Sequence, residues 1–240
     1  MHKIKALPPK DNKHKAGYID SLILKDRSFE HIFKDKNYFK IEIIKGIGFK
    51  ELYRWIQEFG KQLNRNICEA KIVHWYKGKI HLALVRYTAN IHMQNLIFAG
   101  INGYTEKSVL LKELLLSLID DLQYCYVTRV DVAKDFIGKT PLSVMKRLAT
   151  TREKILHYKN SIYFKTLKEK KSNTRINAIE YDKAKKDKLP IRLRRVEISY
   201  RGGYLKNVML KDLLNEFSRI EKSFKSFTSD TMKIMSLESL

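Results

Sequence analysis

Arg129-Val130-Asp131-Val132-Ala133-Lys134-Asp135 and Arg195-Val196-Glu197-Ile198-Ser199-Tyr200-Arg201 repeat one pattern, an arginine two residues before a carboxylate within an apolar alternation. In an extended chain successive side chains face opposite ways. Arg129, Asp131, Ala133 and Asp135 therefore share one face, with Val130, Val132 and Lys134 on the other. Arg195, Glu197, Ser199 and Arg201 share a face in the same way, opposite Val196, Ile198 and Tyr200. Both segments read as strands with one apolar and one charged face. A carboxylate placed mid-strand must be paired, hydrogen-bonded or metal-bound, and either strand alone suits a plain pair of ion pairs equally well.

Outward from these strands, the chain reads as an α+β fold, a mainly antiparallel sheet packed by helices. Ile19 to Leu24 reads as a short strand. Phe49 to Leu63 reads as an amphipathic helix with Leu52, Trp55, Ile56, Phe59 and Leu63 on one stripe. Lys71 to Tyr76, Lys79 to Tyr87 and Ile91 to Phe98 read as an antiparallel meander that turns at Lys77-Gly78 and closes at Gly100-Ile101-Asn102-Gly103. Thr105 is the expected N-cap of an apolar helix over 106–122. Thr140 and Pro141 open a helix expected to run to His157, because proline suits the first helical position. A hairpin with arms Ser161 to Thr166 and Ile176 to Tyr181 should follow, then a basic loop over 183–190. The organisation expected is a basic flexible arm (1–16), one main folded domain that carries both strands (17–203) and a C-terminal helical segment (204–240) with Val208, Leu210, Leu213, Leu214, Phe217 and Ile220 as its stripe.

The chain of 240 residues carries 48 Lys and Arg against 26 Asp and Glu, a formal charge of +22. Such a field favours polyanions, nucleic acid above all. No apolar run is long enough to span a bilayer and the N-terminus lacks the apolar core of a signal peptide, so no membrane partner and a cytoplasmic location are expected. Cys68 and Cys125 have no metal or disulfide spacing and are expected to be buried, inert thiols. From Lys165 to Arg195 there are 12 basic and 4 acidic residues. Lys165, Lys168, Lys170, Lys171, Arg175, Lys185, Lys186, Arg192, Arg194 and Arg195, together with Arg129, are the candidate phosphate contacts. Tyr158, Tyr163 and Phe164 are candidates for stacking on unpaired bases, with core packing as the alternative.

The chemistry centres on the two strands and on Ile179-Glu180-Tyr181-Asp182-Lys183 between them. Neighbouring strands would bring Asp131 and Glu197 within reach of one divalent ion, and hard oxygen ligands imply Mg²⁺ or Mn²⁺. Asp135 shares the Asp131 face, but four residues separate them by roughly 13 Å, so Asp131 is favoured as ligand over Asp135. A nucleophilic tyrosine needs help to lose its proton, which Lys183 or a metal would supply. His92, His74 and His81 have a weaker claim as ligands, and Gly46-Ile47-Gly48 lacks the rest of a dinucleotide-binding pattern.

In four blocks the chain resembles the rolling-circle replication initiators of the plasmid Rep_trans type and related phage initiation factors. The blocks are Tyr18-Ile19-Asp20-Ser21-Leu22, His92 to Gly100, Thr128 to Asp135, and the group of Tyr163-Phe164-Lys165-Thr166, Ala178 to Lys183 and Arg195-Val196-Glu197. Lys165-Thr166 stands where that family has Gly-Ser. The resemblance implies a replication-initiator nicking domain over about residues 18–201. It implies Tyr181 as the nucleophile that stays joined to the 5′ phosphate, and Asp131 and Glu197 as metal ligands. The expected function is a metal-dependent DNA nicking-joining endonuclease, a tyrosine transesterase that starts rolling-circle replication on single-stranded or supercoiled origin DNA. The partners leave room for a host helicase and a homodimer. A non-catalytic DNA-binding replication-control protein and a relaxase-like transfer protein of a mobile element are the alternatives.

Overall fold

The computed structural model describes residues 17–27, 29, 32, 39–46, 68–76, 79–89, 93–150, 154–165 and 177–228. The expected helix over 49–63, His92, Lys168, Lys170, Lys171 and Arg175 lie outside the described residues, as do the arm over 1–16 and the tail after 228. Strands are β1 (Tyr18–Asp26), β2 (Phe39–Gly46), β3 (Cys68–Tyr76), β4 (Lys79–Ala89), β5 (Gln94–Ala99), β6 (Tyr126–Ile137), β7 (Lys154–Tyr158), β8 (Ser161–Lys165), β9 (Asn177–Asp182) and β10 (Leu193–Arg201). Helices are α1 (Glu106–Ser117), α2 (Ile119–Leu122), α3 (Leu142–Thr150), α4 (Lys183–Asp187) and α5 (Leu213–Thr228). Among the described residues the strands form one sheet in the order β2-β3-β4-β5-β1-β6-β10-β9-β8-β7. Every pairing is antiparallel. The fold is α+β, as its alternating strands imply.

The alternation read from sequence organises the centre of the sheet. Val130, Val132, Val196, Ile198 and Tyr200 are fully buried, as are Leu24, Leu96 and Phe98 on the neighbouring strands. These side chains form one core with α1 and α5. Leu213, Phe217, Ile220, Phe224 and Phe227 recur at three- and four-residue spacing along α5, and all are buried. The Phe224 ring lies so close to Gly17 that a Cβ there would stand 2.4 Å from ring carbon Cε1, so a larger residue fits only if that ring or its helix shifts.

Four elements differ from the sequence reading, the first being β2, a strand it did not anticipate. The helix expected to reach His157 ends at Thr150, and Lys154–Tyr158 is instead a strand paired with β8. Its exposed, β-compatible Ile-Leu-His-Tyr run follows the tertiary opportunity to pair rather than helical periodicity. The helix expected over 106–122 breaks at Leu118 into α1 and α2. The loop after Tyr181 contains a helical turn, α4, capped by Asp182, whose carboxylate accepts from Lys185 N at 2.8 Å.

The register holds one feature that governs the site. Ile19 pairs with Val132 and Ser21 with Asp131, leaving Asp20 as an extra residue on β1, a β-bulge. Strict alternation would have put Tyr18, Asp20, Leu22 and Leu24 on one face. The bulge sends Leu22 and Leu24 into the core while Tyr18, Asp20 and Ser21 all remain on the charged face. Gly100 N and Ile101 N both donate to Asp20 O, at 2.9 and 2.8 Å, which holds the bulge in place.

Candidate active site

The charged face of β1, β6, β9 and β10 carries two linked clusters. At the first, Arg195 is fully buried. Its Nε donates to Asp135 Oδ1 at 2.6 Å and its Nη2 to Asp135 Oδ2 at 2.8 Å. Nη1 reaches Asp20 Oδ1 at 2.8 Å, and Nη2 also donates to Tyr18 and to Asn102 O. Tyr104 Oη donates to Asp135 Oδ2 at 2.5 Å, and Tyr18 donates to the same oxygen. Burial opposes both carboxylates' charge, but Arg195 outweighs it and holds Asp135 and Asp20 below the usual carboxylate range. Burial likewise opposes the Arg195 charge, and Tyr18, Asp20 and Asp135 around it overcome that opposition. Burial keeps the Tyr18 and Tyr104 hydroxyls protonated far above their ordinary range.

Two sequence expectations are corrected here. Asp135 is not placed to hold a cleft ion, because both its oxygens are committed to Arg195 and two tyrosines. Arg195 is not a surface phosphate contact, because no part of it reaches solvent. The pairing expected within the Arg195 strand is also absent: Arg195 turns from Glu197 to Asp135 directly across the sheet, whereas Arg129 does pair with Asp131 two residues on, Nε to Oδ1 at 2.6 Å.

The second cluster surrounds Tyr181. Tyr181 pairs with Arg195 and Ile179 with Glu197 across β9 and β10, so Tyr181 and Glu197 are diagonal neighbours on one face. The Tyr181 hydroxyl donates to Glu197 Oε1. Lys186 Nζ lies 3.4 Å from the same hydroxyl and 4.9 Å from the ring centroid. Burial and then the facing Glu197 carboxylate raise the Tyr181 hydroxyl well above its ordinary range. Burial, followed by the charge of Asp20, pushes the Glu197 carboxyl up to about 7. Two facing carboxylates, Asp20 and Glu197, thus resist being charged together.

A cleft of about 380 Å³ opens beside this pair, lined by Asp20, Asp131, Glu197, Arg129, Lys183 and Lys186 among others. Asp131 is opposite Ser199, and Glu197 is opposite Ala133. The two carboxylates are therefore diagonal, not directly opposed as the strand pattern first suggests. Among the described residues no group of three His, Cys, Asp or Glu side chains is drawn together to hold a metal ion. Lys183 is buried and paired with Asp187 at 2.9 Å, and burial, then Arg195, lowers its basicity. It lines the cleft without touching the tyrosine hydroxyl; Lys186, one turn on, makes that contact.

The remaining cations divide by exposure. Lys165, Lys185 and Arg192 are exposed. Arg194 is bound to Glu180, Nε to Oε1 at 2.7 Å, which raises its basicity. Arg129 donates from Nη2 to Ser199 at 3.2 Å and stays partly exposed. Sequence reasoning missed Asp20, Tyr18 and Tyr104. Tyr18 and Asp20 lay inside a quoted block, but strict strand alternation hid their role, and Tyr104 lay in a turn with no pattern of its own. No described helix is long and apolar enough to cross a membrane.

No protein-family profile matches the chain, and no curated protein sequence is similar to it. Among solved structures, a rolling circle replication initiator protein from Geobacillus stearothermophilus is similar over 85% of this chain and 84% of that one, with a TM-score of 0.46 and 15% sequence identity. Likeness of that degree does not decide the chemistry, which rests on the site's own geometry.

Proposed function

We propose that the protein is a nicking-joining enzyme for DNA, a rolling-circle replication initiator in which Tyr181 is the nucleophile. One observation carries the reading: the Tyr181 hydroxyl is hydrogen-bonded to a carboxylate and faces a lysine, beside a cleft lined by Arg129, Lys183 and Lys186 together with carboxylates, on a chain of +22 charge. Tyr181 Oη attacks a phosphodiester phosphorus and its proton passes to Glu197 Oε1. The bond from phosphorus to the 3′ oxygen breaks, and that oxygen takes a proton from solvent and leaves as a hydroxyl, while Glu197 keeps the tyrosine proton until the strand is rejoined. The 5′ phosphate stays on Tyr181 as an ester, and the reverse sequence rejoins the strand. Lys186, Arg129 and the exposed Lys185 supply positive potential for the phosphate oxygens.

A divalent Mg²⁺ or Mn²⁺ would find hard oxygen donors in Glu197 and Asp131, which line the same cleft. These two would hold it only with Asp131 released from Arg129, because no three such side chains converge among the described residues and Asp20 is already paired with Arg195. When bound it would polarise the scissile phosphate. One observation favours the binding-only alternative: Tyr181 is 6% exposed, so a substrate must open its surroundings to reach it. The deciding experiment is a denaturing-gel search for a covalent adduct between the full chain and labelled single-stranded and supercoiled DNA of its own replicon, with Mn²⁺ and with chelator. Tyr181→Phe should abolish an adduct that wild type forms. Nicking by Tyr181→Phe at the wild-type rate refutes the mechanism.

A further inference from the structure

Directly paired residues of antiparallel strands point to the same side of a sheet. Tyr158 pairs with Ser161, Ser161 with Tyr181 and Tyr181 with Arg195. One row further, Tyr163 pairs with Ile179 and Ile179 with Glu197. The β7–β8 hairpin therefore continues the face that carries Tyr181 and Glu197, with Tyr158 two strands, or roughly 10 Å, from Tyr181. Phe164, by contrast, faces the other way and is buried at 2% exposure.

That continuation has the composition of a polyanion surface. Tyr158 is 60% exposed at the sheet end formed by β7. Lys159 Nζ lies 5.3 Å from its ring centroid, and Lys165 Nζ lies 5.8 Å from that of Tyr163. Lys154 and Lys165, both exposed, stand directly opposite each other, an unfavourable pairing unless an anion lies between them. No acidic residue occurs from Lys154 to Lys165. The turn is anchored by Arg194, whose Nη2 donates to Asn160 O at 3.4 Å while the same side chain holds Glu180.

The geometry points to a stacking platform on the β7–β8 hairpin, where Tyr158 and Tyr163 receive unpaired bases flanking the attacked phosphate and Lys154 and Lys165 receive the adjoining phosphates. This rests on the nucleic-acid reading of Tyr181 and deepens it, since it assigns where the single strand lies. Aromatic rings accept any base face, so the platform selects unpaired strands over duplex without reading sequence.

The test is equilibrium binding of a labelled oligothymidylate, and of the same oligomer with abasic positions, to the full chain carrying no change, Tyr158→Ala or Tyr158→Phe. Tyr158 is largely exposed, so the variants should melt with wild type. Stacking of one base is worth about 1–3 kcal/mol, so Tyr158→Ala should weaken binding by about 5- to 150-fold. Tyr158→Phe should retain binding, and the abasic oligomer should bind wild type and Tyr158→Ala equally. Wild-type binding that Tyr158→Ala leaves within twofold overturns the platform alone. An equal loss on the abasic oligomer also overturns it, since the ring would then act through something other than a base. A wild-type chain that binds neither oligomer overturns the platform and the nucleic-acid reading together.

Discussion

Replacing Arg195 by methionine removes the fully buried cation from between two buried carboxylates while keeping most of the side-chain volume. In the native chain Arg195 makes two bonds to Asp135 and one to Asp20. Breaking a buried pair by deleting one partner costs about 3–5 kcal/mol, because the other charge is left uncompensated. Protonation caps that cost: neutralising a carboxyl of ordinary pKa near 4 takes about 1.4 kcal/mol per pH unit above it, so ~1.4 kcal/mol at pH 5 and ~5 kcal/mol at pH 8. In wild type the depressed pKa of both carboxyls gives stability that is present above the ordinary carboxylate range and lost only as pH falls below it. In the variant both carboxyls would rise instead, the native state would bind the extra protons, and stability would fall as pH increases. Urea unfolding of Arg195→Met should therefore show a loss of about 3–5 kcal/mol at pH 8 that narrows by more than about 1 kcal/mol at pH 5. Adding Asp135→Asn should recover part of the loss, since the two sites share one network. A loss under about 1 kcal/mol at pH 8, or one of the same size at both pH values, refutes the argument that Arg195 neutralises buried charge.

Three further outcomes are expected. Glu197, raised to about 7 from the ordinary 4.5, binds a proton in the folded chain that it lacks when unfolded. Its effect on stability therefore worsens as pH rises from about 4.5 to about 7, by at most about 3 kcal/mol and less where solvent screens it. Glu197→Gln should remove that pH dependence from the urea midpoint and leave the variant more stable than wild type at pH 8. Gly17→Ala should destabilise by about 1–3 kcal/mol, because its methyl group meets the Phe224 ring; an unchanged melting temperature would show that α5 shifts freely. Burial, then Asp26, pushes the Cys125 thiol up to about 12, so in a Cys68→Ser background it should react with a thiol reagent at pH 8 only after urea unfolding.

The central strands were legible because their chemistry is periodic. Val130, Val132, Val196, Ile198 and Tyr200 fall in the core where alternation predicts, and the β3–β4–β5 meander follows from its turn residues. Tyr181, one tyrosine among 13, was picked out by the family resemblance and Glu197 by its strand pattern, and the two meet across β9 and β10. What failed did so for specific reasons. Lys154–Tyr158 has no period that separates strand from helix over so short a run, and pairing with β8 decided it.

By itself the sequence determined which side chains share a strand face, the overall positive field and the residue types capable of attacking a phosphate. Those follow from local geometry and composition, which need no partner in space. Only the tertiary structure decided which charges meet. The bulge at Asp20 let Ser21 join Tyr18 and Asp20 on the site face while Leu22 and Leu24 entered the core. The β6–β10 register put Arg195 against Asp135 and left Glu197 to receive Tyr181. A register is a relation between distant segments, so one residue of slip would have exchanged every face while leaving each strand's own pattern intact.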